Sequence, residues 1–162
     1  MTPYYADDAV TIWHGDAFDV LPELSGVSAL ITDPPYSSGG QFRGDRMQSV
    51  ISKYVKTGTI IERPEFTGDN RDQRSYLAWC SLWLTAARHA ALPGCVVAMF
   101  TDWRQLPITT DALQAGGWVW RGIGVWDKGN GARPQPGLTA QCEYVAWGTA
   151  GPSCLDVYLS GV

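Results

Sequence analysis

The stretch Ala29-Leu30-Ile31-Thr32-Asp33-Pro34-Pro35-Tyr36 decides the reading of this chain. The apolar run at 29–32 has the composition of a buried strand, and the two prolines end it. Proline fixes φ and carries no N–H for a ladder, so the chain must leave the sheet there. A carboxylate, two rigidly held carbonyl acceptors and an aromatic face are left at the strand's C-terminal edge. In open α/β sheets that edge is where ligands bind.

These groups suit methylation of an exocyclic amino group on a nucleobase. Such a nitrogen is a poor nucleophile, because its lone pair is delocalised into the ring. Acceptors at its two N–H bonds, the Asp33 carboxylate and the Pro34 carbonyl, would pull it towards a tetrahedral and more nucleophilic geometry. Groups preorganised for developing charge supply much of catalysis. Tyr36 offers a stacking face, worth ~1–3 kcal/mol per base, and a duplex base must be extruded to reach such a pocket. The alternative is purely structural: a strand, a Pro-Pro turn, and Tyr36 as packing.

Outward from this point the chain alternates strand and helix signals. Residues 1–8 read as a polar lead-in, with a strand near 9–13 and a short helix near 17–24 before the strand at 28–32. Residues 37–74 form a Gly-, Ser- and Arg-rich segment without clear periodicity. Loops this long are usually functional or mobile, and its place after Tyr36 suggests a lid or a DNA-contacting loop. Ser75 is expected to cap a helix running to about Ala91. Tyr76, Trp79, Cys80, Trp83, Ala87 and Ala90 form its apolar face, and Pro93-Gly94 its stop.

The apolar run Cys95-Val96-Val97-Ala98-Met99-Phe100 is expected as a strand buried on both faces. Asp102, just beyond it at the edge shared with Asp33, reads as a helix N-cap in preference to a pocket residue. A second helix at about 104–115 stops at Gly116-Gly117. Strands follow at 118–126 and 142–147, with a short one at 156–159, and a Gly/Pro loop at 127–140. Trp79, Trp83, Trp118 and Trp120 are expected in the core, Trp126 and Trp147 at strand ends, and His14 packed or at the surface. The order implies an α/β fold in one domain over 1–162, its sheet mostly parallel with an antiparallel finish.

Asp33-Pro34-Pro35-Tyr36 resembles the catalytic motif of DNA adenine-N6 and cytosine-N4 methyltransferases, which use S-adenosylmethionine. The resemblance continues upstream through Val10-Thr11-Ile12-Trp13-His14-Gly15-Asp16. It continues downstream through Trp126-Asp127-Lys128-Gly129 and Gln141-Cys142-Glu143-Tyr144-Val145-Ala146-Trp147-Gly148. It implies a Rossmann-like methyltransferase sheet, in the arrangement where the catalytic motif precedes the cofactor motif. It also implies catalytic roles for Asp33, Pro34, Pro35 and Tyr36, and cofactor contacts from Asp16 and Asp33. Ser37, Ser38, Arg43 and Arg46 are implied as DNA contacts in a segment that closes over the flipped base. Adenine is implied ahead of cytosine, because Asp rather than Ser opens the motif.

The family's glycine-rich Asp-Pro-Phe-x-Gly-x-Gly turn does not occur in the sequence. In this arrangement it would lie beyond Val162, so the sheet is expected to be incomplete. A dimer or a complementing chain would then supply the missing cofactor motif.

Composition narrows the classes further. The chain has 162 residues, 45% hydrophobic and 17% charged, which suits a folded core and argues against general disorder. No apolar run reaches the roughly 20 residues of a membrane span, and no signal peptide is visible. The cysteines, Cys80, Cys95, Cys142 and Cys154, form no Cys-x-x-Cys pair, so free intracellular thiols, a cytoplasmic location and no zinc site are expected. Net charge is −4, but residues 37–75 carry seven basic against five acidic groups, the sign a phosphate-contacting segment needs. Two other functions remain open: methylation of RNA or of a protein glutamine by the same chemistry, and a non-catalytic remnant or half of a split methyltransferase that binds DNA or a partner chain.

Overall fold

The computed structural model describes residues 1–36, 68–129 and 141–153. Strands β1 (Tyr5–Ala6) and β2 (Thr11–Ile12) form a small antiparallel ribbon. Helix α1 (Ala17–Val20) runs into a 3-10 turn at Leu21–Glu23. Then come β3 (Val27–Thr32), α2 (Gln73–Ala90), β4 (Ala91–Thr101), α3 (Leu106–Ala115), β5 (Val119–Asp127) and β6 (Cys142–Thr149).

The main sheet has the order β3-β4-β6-β5. β3 and β4 pair parallel, and β6 is antiparallel to both β4 and β5. Three strands therefore run one way, and β6, the last of the described strands, is inserted between the second and third of them. This is the mostly parallel sheet with an antiparallel finish that the sequence implies, with the reversed strand inside the sheet instead of at its rim.

Both longer helices pack on one face. Tyr76, Cys80, Trp83, Leu84 and Ala87 of α2 and Ala112 and Leu113 of α3 form one buried cluster with Cys95, Val97 and Met99 of β4 and Ala146 of β6. The expected face of α2 is thus the buried one. Trp118 joins the cluster, its Nε1 donating to the Leu84 carbonyl at 3.0 Å. Helices α2 and α3 come close at Gly116, where an added Cβ would lie 2.5 Å from Leu84 Cβ.

Among the described residues, the opposite face is sparsely covered. Strand alternation and register put Ile31, Val96, Ala98, Phe100, Val145, Trp147 and Trp126 there. Ile31 is 74% exposed and Trp126 52%. The expected burial of the Cys95–Phe100 strand on both faces is therefore corrected: Cys95, Val97 and Met99 are fully buried, whereas Val96, Ala98 and Phe100 are only partly so.

Several boundaries also differ from expectation, each for a local reason. Asp72, not Ser75, caps α2, accepting from the amides of Arg74 (3.0 Å) and Ser75 (2.9 Å). Pro93-Gly94 does not stop the helix. The chain turns extended at Ala91, and Gly94 sits inside β4 at φ 78°, where the register against β3 shifts. The strand expected at 9–13 is reduced to Thr11–Ile12 and lies outside the main sheet. The Asp7 carboxylate accepts from the amides of Ala9 and Val10 (2.8 and 2.7 Å), folding the supposed lead-in back as a hairpin. Trp120 is not in the core. It is 41% exposed at a register shift in β5, with its Nε1 bonded to the Gly122 carbonyl. The strand expected at 156–159 lies outside the described residues.

The cap of α2 yields a direct expectation. Asp72→Ala should destabilise the protein by ~1 kcal/mol, the usual cost of removing an Asp cap, measured by urea unfolding. Asp72→Asn should recover most of that loss.

Candidate active site

The site forms where β3, β4 and β5 end and β6 begins. Thr32 of β3 is in register with Met99 of β4, Thr101 of β4 with Tyr144 of β6, and Trp126 of β5 with Glu143 of β6. The turn Asp33–Tyr36, the Asp102–Arg104 turn and the Trp126–Lys128 segment therefore emerge at one edge, as the parallel course of β3 and β4 requires.

Within the first turn the prolines do what their chemistry dictates. Pro34 is buried and Pro35 half-buried, which anchors the backbone, and Tyr36 packs against the core cluster. Asp33 remains exposed. Loss of surrounding water raises its carboxyl above the ordinary range, and the negative charge of Glu143 raises it further. A carboxylate that holds protons more tightly is a better acceptor for a partly acidic N–H.

Asp102 is committed elsewhere. It accepts from the amides of Arg104 and Gln105, both at 3.0 Å, and from Arg104 Nε at 2.7 Å, with a further ion pair to Arg104 Nη2. Burial raises its carboxyl while these partners oppose the rise. It caps the 103–105 turn that leads into α3, whose own N-cap is Gln105 and not the Asp102 that the sequence suggests, and it is not a free pocket group.

On the β5–β6 side the ends of the hairpin are fixed by polar contacts. Asp127 accepts from the Gly129 amide at 2.8 Å and from Gln141 Nε2 at 2.6 Å, and these bonds, led by Gln141, lower its carboxyl. Lys128 Nζ meets Glu143 Oε1 at 2.5 Å. The Trp126 ring stands edge-on to Phe100, with centroids 6.1 Å apart at 83°. Sequence reasoning gave Lys128 and Glu143 no role. The signal was hidden, because only the register of β6 against β5 brings them together.

The remaining candidates are distributed as follows. Asp16 is exposed and caps α1, accepting from the Phe18 amide at 2.9 Å. His14 is exposed and edge-on to Tyr4 at 6.5 Å. Ser37, Ser38, Arg43 and Arg46 lie outside the described residues. Arg71, one of the basic groups of the central segment, is held by the Gly68 carbonyl at 2.9 Å and lies 4.1 Å over the Trp79 ring. Among the described residues no group of three or more His, Cys, Asp or Glu is placed to hold a metal ion, and no helix is long and apolar enough to cross a membrane. Of the thiols, Cys80 is pushed up to about 12 by burial.

The fold is that of solved DNA methyltransferase structures. M1.HpyAVI in its SAM complex is similar over 88% of this chain and 54% of its own, at a TM-score of 0.54 and 18% identity. TTHA0409 of Thermus thermophilus, a candidate DNA modification methylase, is similar over 90% of this chain and 56% of its own, at a TM-score of 0.57 and 13% identity. Its complex with S-adenosyl-L-methionine is similar at a TM-score of 0.51 and 13% identity, over 90% of this chain and 55% of its own. The chain thus spans about half the length of these proteins. No protein-family model matches the sequence, and no curated protein matches it.

Proposed function

We propose that this chain carries the catalytic motif of an S-adenosylmethionine-dependent DNA methyltransferase acting on the exocyclic amino group of a flipped base. Adenine N6 ranks ahead of cytosine N4, because Asp33 and not a serine opens the motif. One observation carries the reading: Asp33-Pro34-Pro35-Tyr36 stands at the C-terminal end of a parallel strand, in a sheet shared with DNA methyltransferases. A cytoplasmic location follows from the substrate.

In this reading the Asp33 carboxylate and the Pro34 carbonyl accept the two amino N–H bonds and turn the nitrogen lone pair out of the base plane. The buried Pro34 holds that carbonyl still. Tyr36 stacks on the base, and Ser37, Ser38, Arg43 and Arg46 contact DNA. The cofactor, when bound, supplies an activated methyl group on a sulfonium leaving group. Asp16 and Asp33 are the residues that would hold it. Asp16 fits its adenine end: it is an exposed carboxylate fixed by its bond to the Phe18 amide, and so an acceptor for an amino group. The amino proton departs late, to solvent.

A second reading, half of a split or longer enzyme, is favoured by two observations. The chain spans about half of each similar structure, and one sheet face leaves Ile31 and Trp126 exposed. A complementing segment, in the same chain or another, would cover that face and bring the glycine-rich turn.

Calorimetry of S-adenosylmethionine with the 162-residue chain tests both readings. Micromolar binding that Asp16→Ala abolishes supports the first. A folded chain that binds nothing supports the second, and methyl transfer to peptide amides but not to DNA would sink the assignment of DNA as substrate.

A further inference from the structure

We propose that the outer edge of β5 is a docking surface for a second copy of this chain, joined by antiparallel pairing of β5 with β5 across a two-fold axis at Gly124. The proposal goes beyond the methyltransferase reading and does not rest on it.

Among the described residues, β5 is paired on one side only, with β6. Its other side presents a row of open backbone donors and acceptors, which natural sheets guard with lysine, proline, shortness or a bulge. β5 is nine residues long and has neither lysine nor proline. Its one register shift lies between Trp120 and Gly122 and leaves 122–127 regular. By contrast, β3 at the other rim of the sheet has six residues and runs straight into Pro34-Pro35. Val119, Trp120, Ile123, Val125 and Trp126 are all exposed, more large apolar side chains than any other described strand or helix leaves to water.

The edge is complementary to itself. With Gly124 opposite the partner's Gly124, Ile123 meets the partner's Val125 on one face, and Gly122 meets the partner's Trp126 on the other. Arg121 then meets the partner's Asp127, and symmetry makes the ion pair twice. These are the only charged residues in β5. Both keep an atom for the contact. Asp127 takes the Gly129 amide and Gln141 Nε2 at Oδ1, which leaves Oδ2. Arg121 gives Nε to Thr149 Oγ1 and Nη2 to the Gly151 carbonyl, which leaves Nη1. A slip of two residues either way would put Asp127 opposite the partner's Ile123, or Arg121 opposite the partner's Val125, so the charges set the register. In the pair two four-stranded sheets become one, and the two Asp33 edges open at its opposite ends.

Sedimentation velocity of the 162-residue chain, from micromolar to submillimolar concentration, should show a monomer–dimer equilibrium. Val125→Lys, at a position 65% exposed, should keep the fold by circular dichroism and lose the dimer. Asp127→Arg should weaken the dimer, and adding Arg121→Asp to it should restore pairing. Cross-linking checks the register independently. In a Cys142→Ser, Cys154→Ser background, Gly124→Cys sets two thiols face to face at the axis. Opposite Cα atoms of an antiparallel pair lie ~4.5–5.5 Å apart, within disulfide reach. An added Cβ at Gly124 meets no described atom closer than 3.7 Å. Oxidised glutathione, accepting the two electrons and two protons, should link Gly124→Cys into a covalent dimer and leave Leu82→Cys, on the exposed side of α2, single. A chain that stays monomeric, a dimer that survives Val125→Lys, a double charge reversal no better than Asp127→Arg, or Gly124→Cys linking no faster than Leu82→Cys each overturns the proposal. So does amide-exchange protection of β5 that is independent of protein concentration, which would put another segment on that edge.

Discussion

Asp33→Ala is expected to lower the rate of methyl transfer by about 100- to 1,000-fold, the usual cost of deleting one preorganised hydrogen-bonding group at a reacting centre. The loss should fall on the single-turnover rate, because Asp33 acts on the amino group as charge develops there. Stability should hardly change. Asp33 is exposed and, among the described residues, makes no hydrogen bond that the fold needs for its strands or helices. Asp33→Asn keeps one oxygen acceptor and should fall between wild type and Ala. A rate within ten-fold of wild type for Asp33→Ala would remove Asp33 from the mechanism. The same variant with normal turnover but altered cofactor binding would place it on the cofactor side only.

Leu84→Ala is expected to cost about 2–5 kcal/mol of stability, the range for truncating a buried leucine. Leu84 is fully buried, its Cβ faces Gly116 where α2 and α3 meet, and its carbonyl receives the Trp118 indole N–H. Whole domains are stable by only about 5–15 kcal/mol, so the variant should be close to unfolding. Leu82, on the same helix but 64% exposed, is the control. Leu82→Ala should stay within about 0.5 kcal/mol, as surface substitutions do. Denaturant unfolding of both measures the contrast, and equal losses would mean that the α2–α3 contact is not the core of this fold.

The legible parts of this molecule were those governed by local rules. The three- and four-residue spacing of Tyr76, Cys80, Trp83 and Ala87 marked the buried face of α2. The paired prolines after Thr32 marked the end of β3, and Gly116-Gly117 marked the end of α3. Local signals misled where a more distant contact outweighed them. Pro93-Gly94 looked like a helix stop, but pairing with β3 and β6 draws the chain straight into a strand. Trp120 looked like core, but lies at a register shift in β5 with its ring 41% exposed. The site was half legible for the same reason. Asp33 to Tyr36 are contiguous and announce themselves. Lys128 and Glu143 are separated in sequence by a loop, and only strand pairing makes them neighbours.

The place of β6 fixes the order in which the four described strands can join on the ribosome. Val96 of β4 pairs with Thr149 and Thr101 with Tyr144, while β5 pairs with β6 and not with β4. As the chain emerges, β3, β4 and the helices can assemble first, but β5 then waits without a neighbour in the main sheet until β6 arrives. Strand β6 is a keystone that joins two ladders in one step. Nascent chains ending before Cys142 should therefore leave β4 and β5 both open along one edge, the state most exposed to wrong pairing, and those extending past Thr149 should close both together.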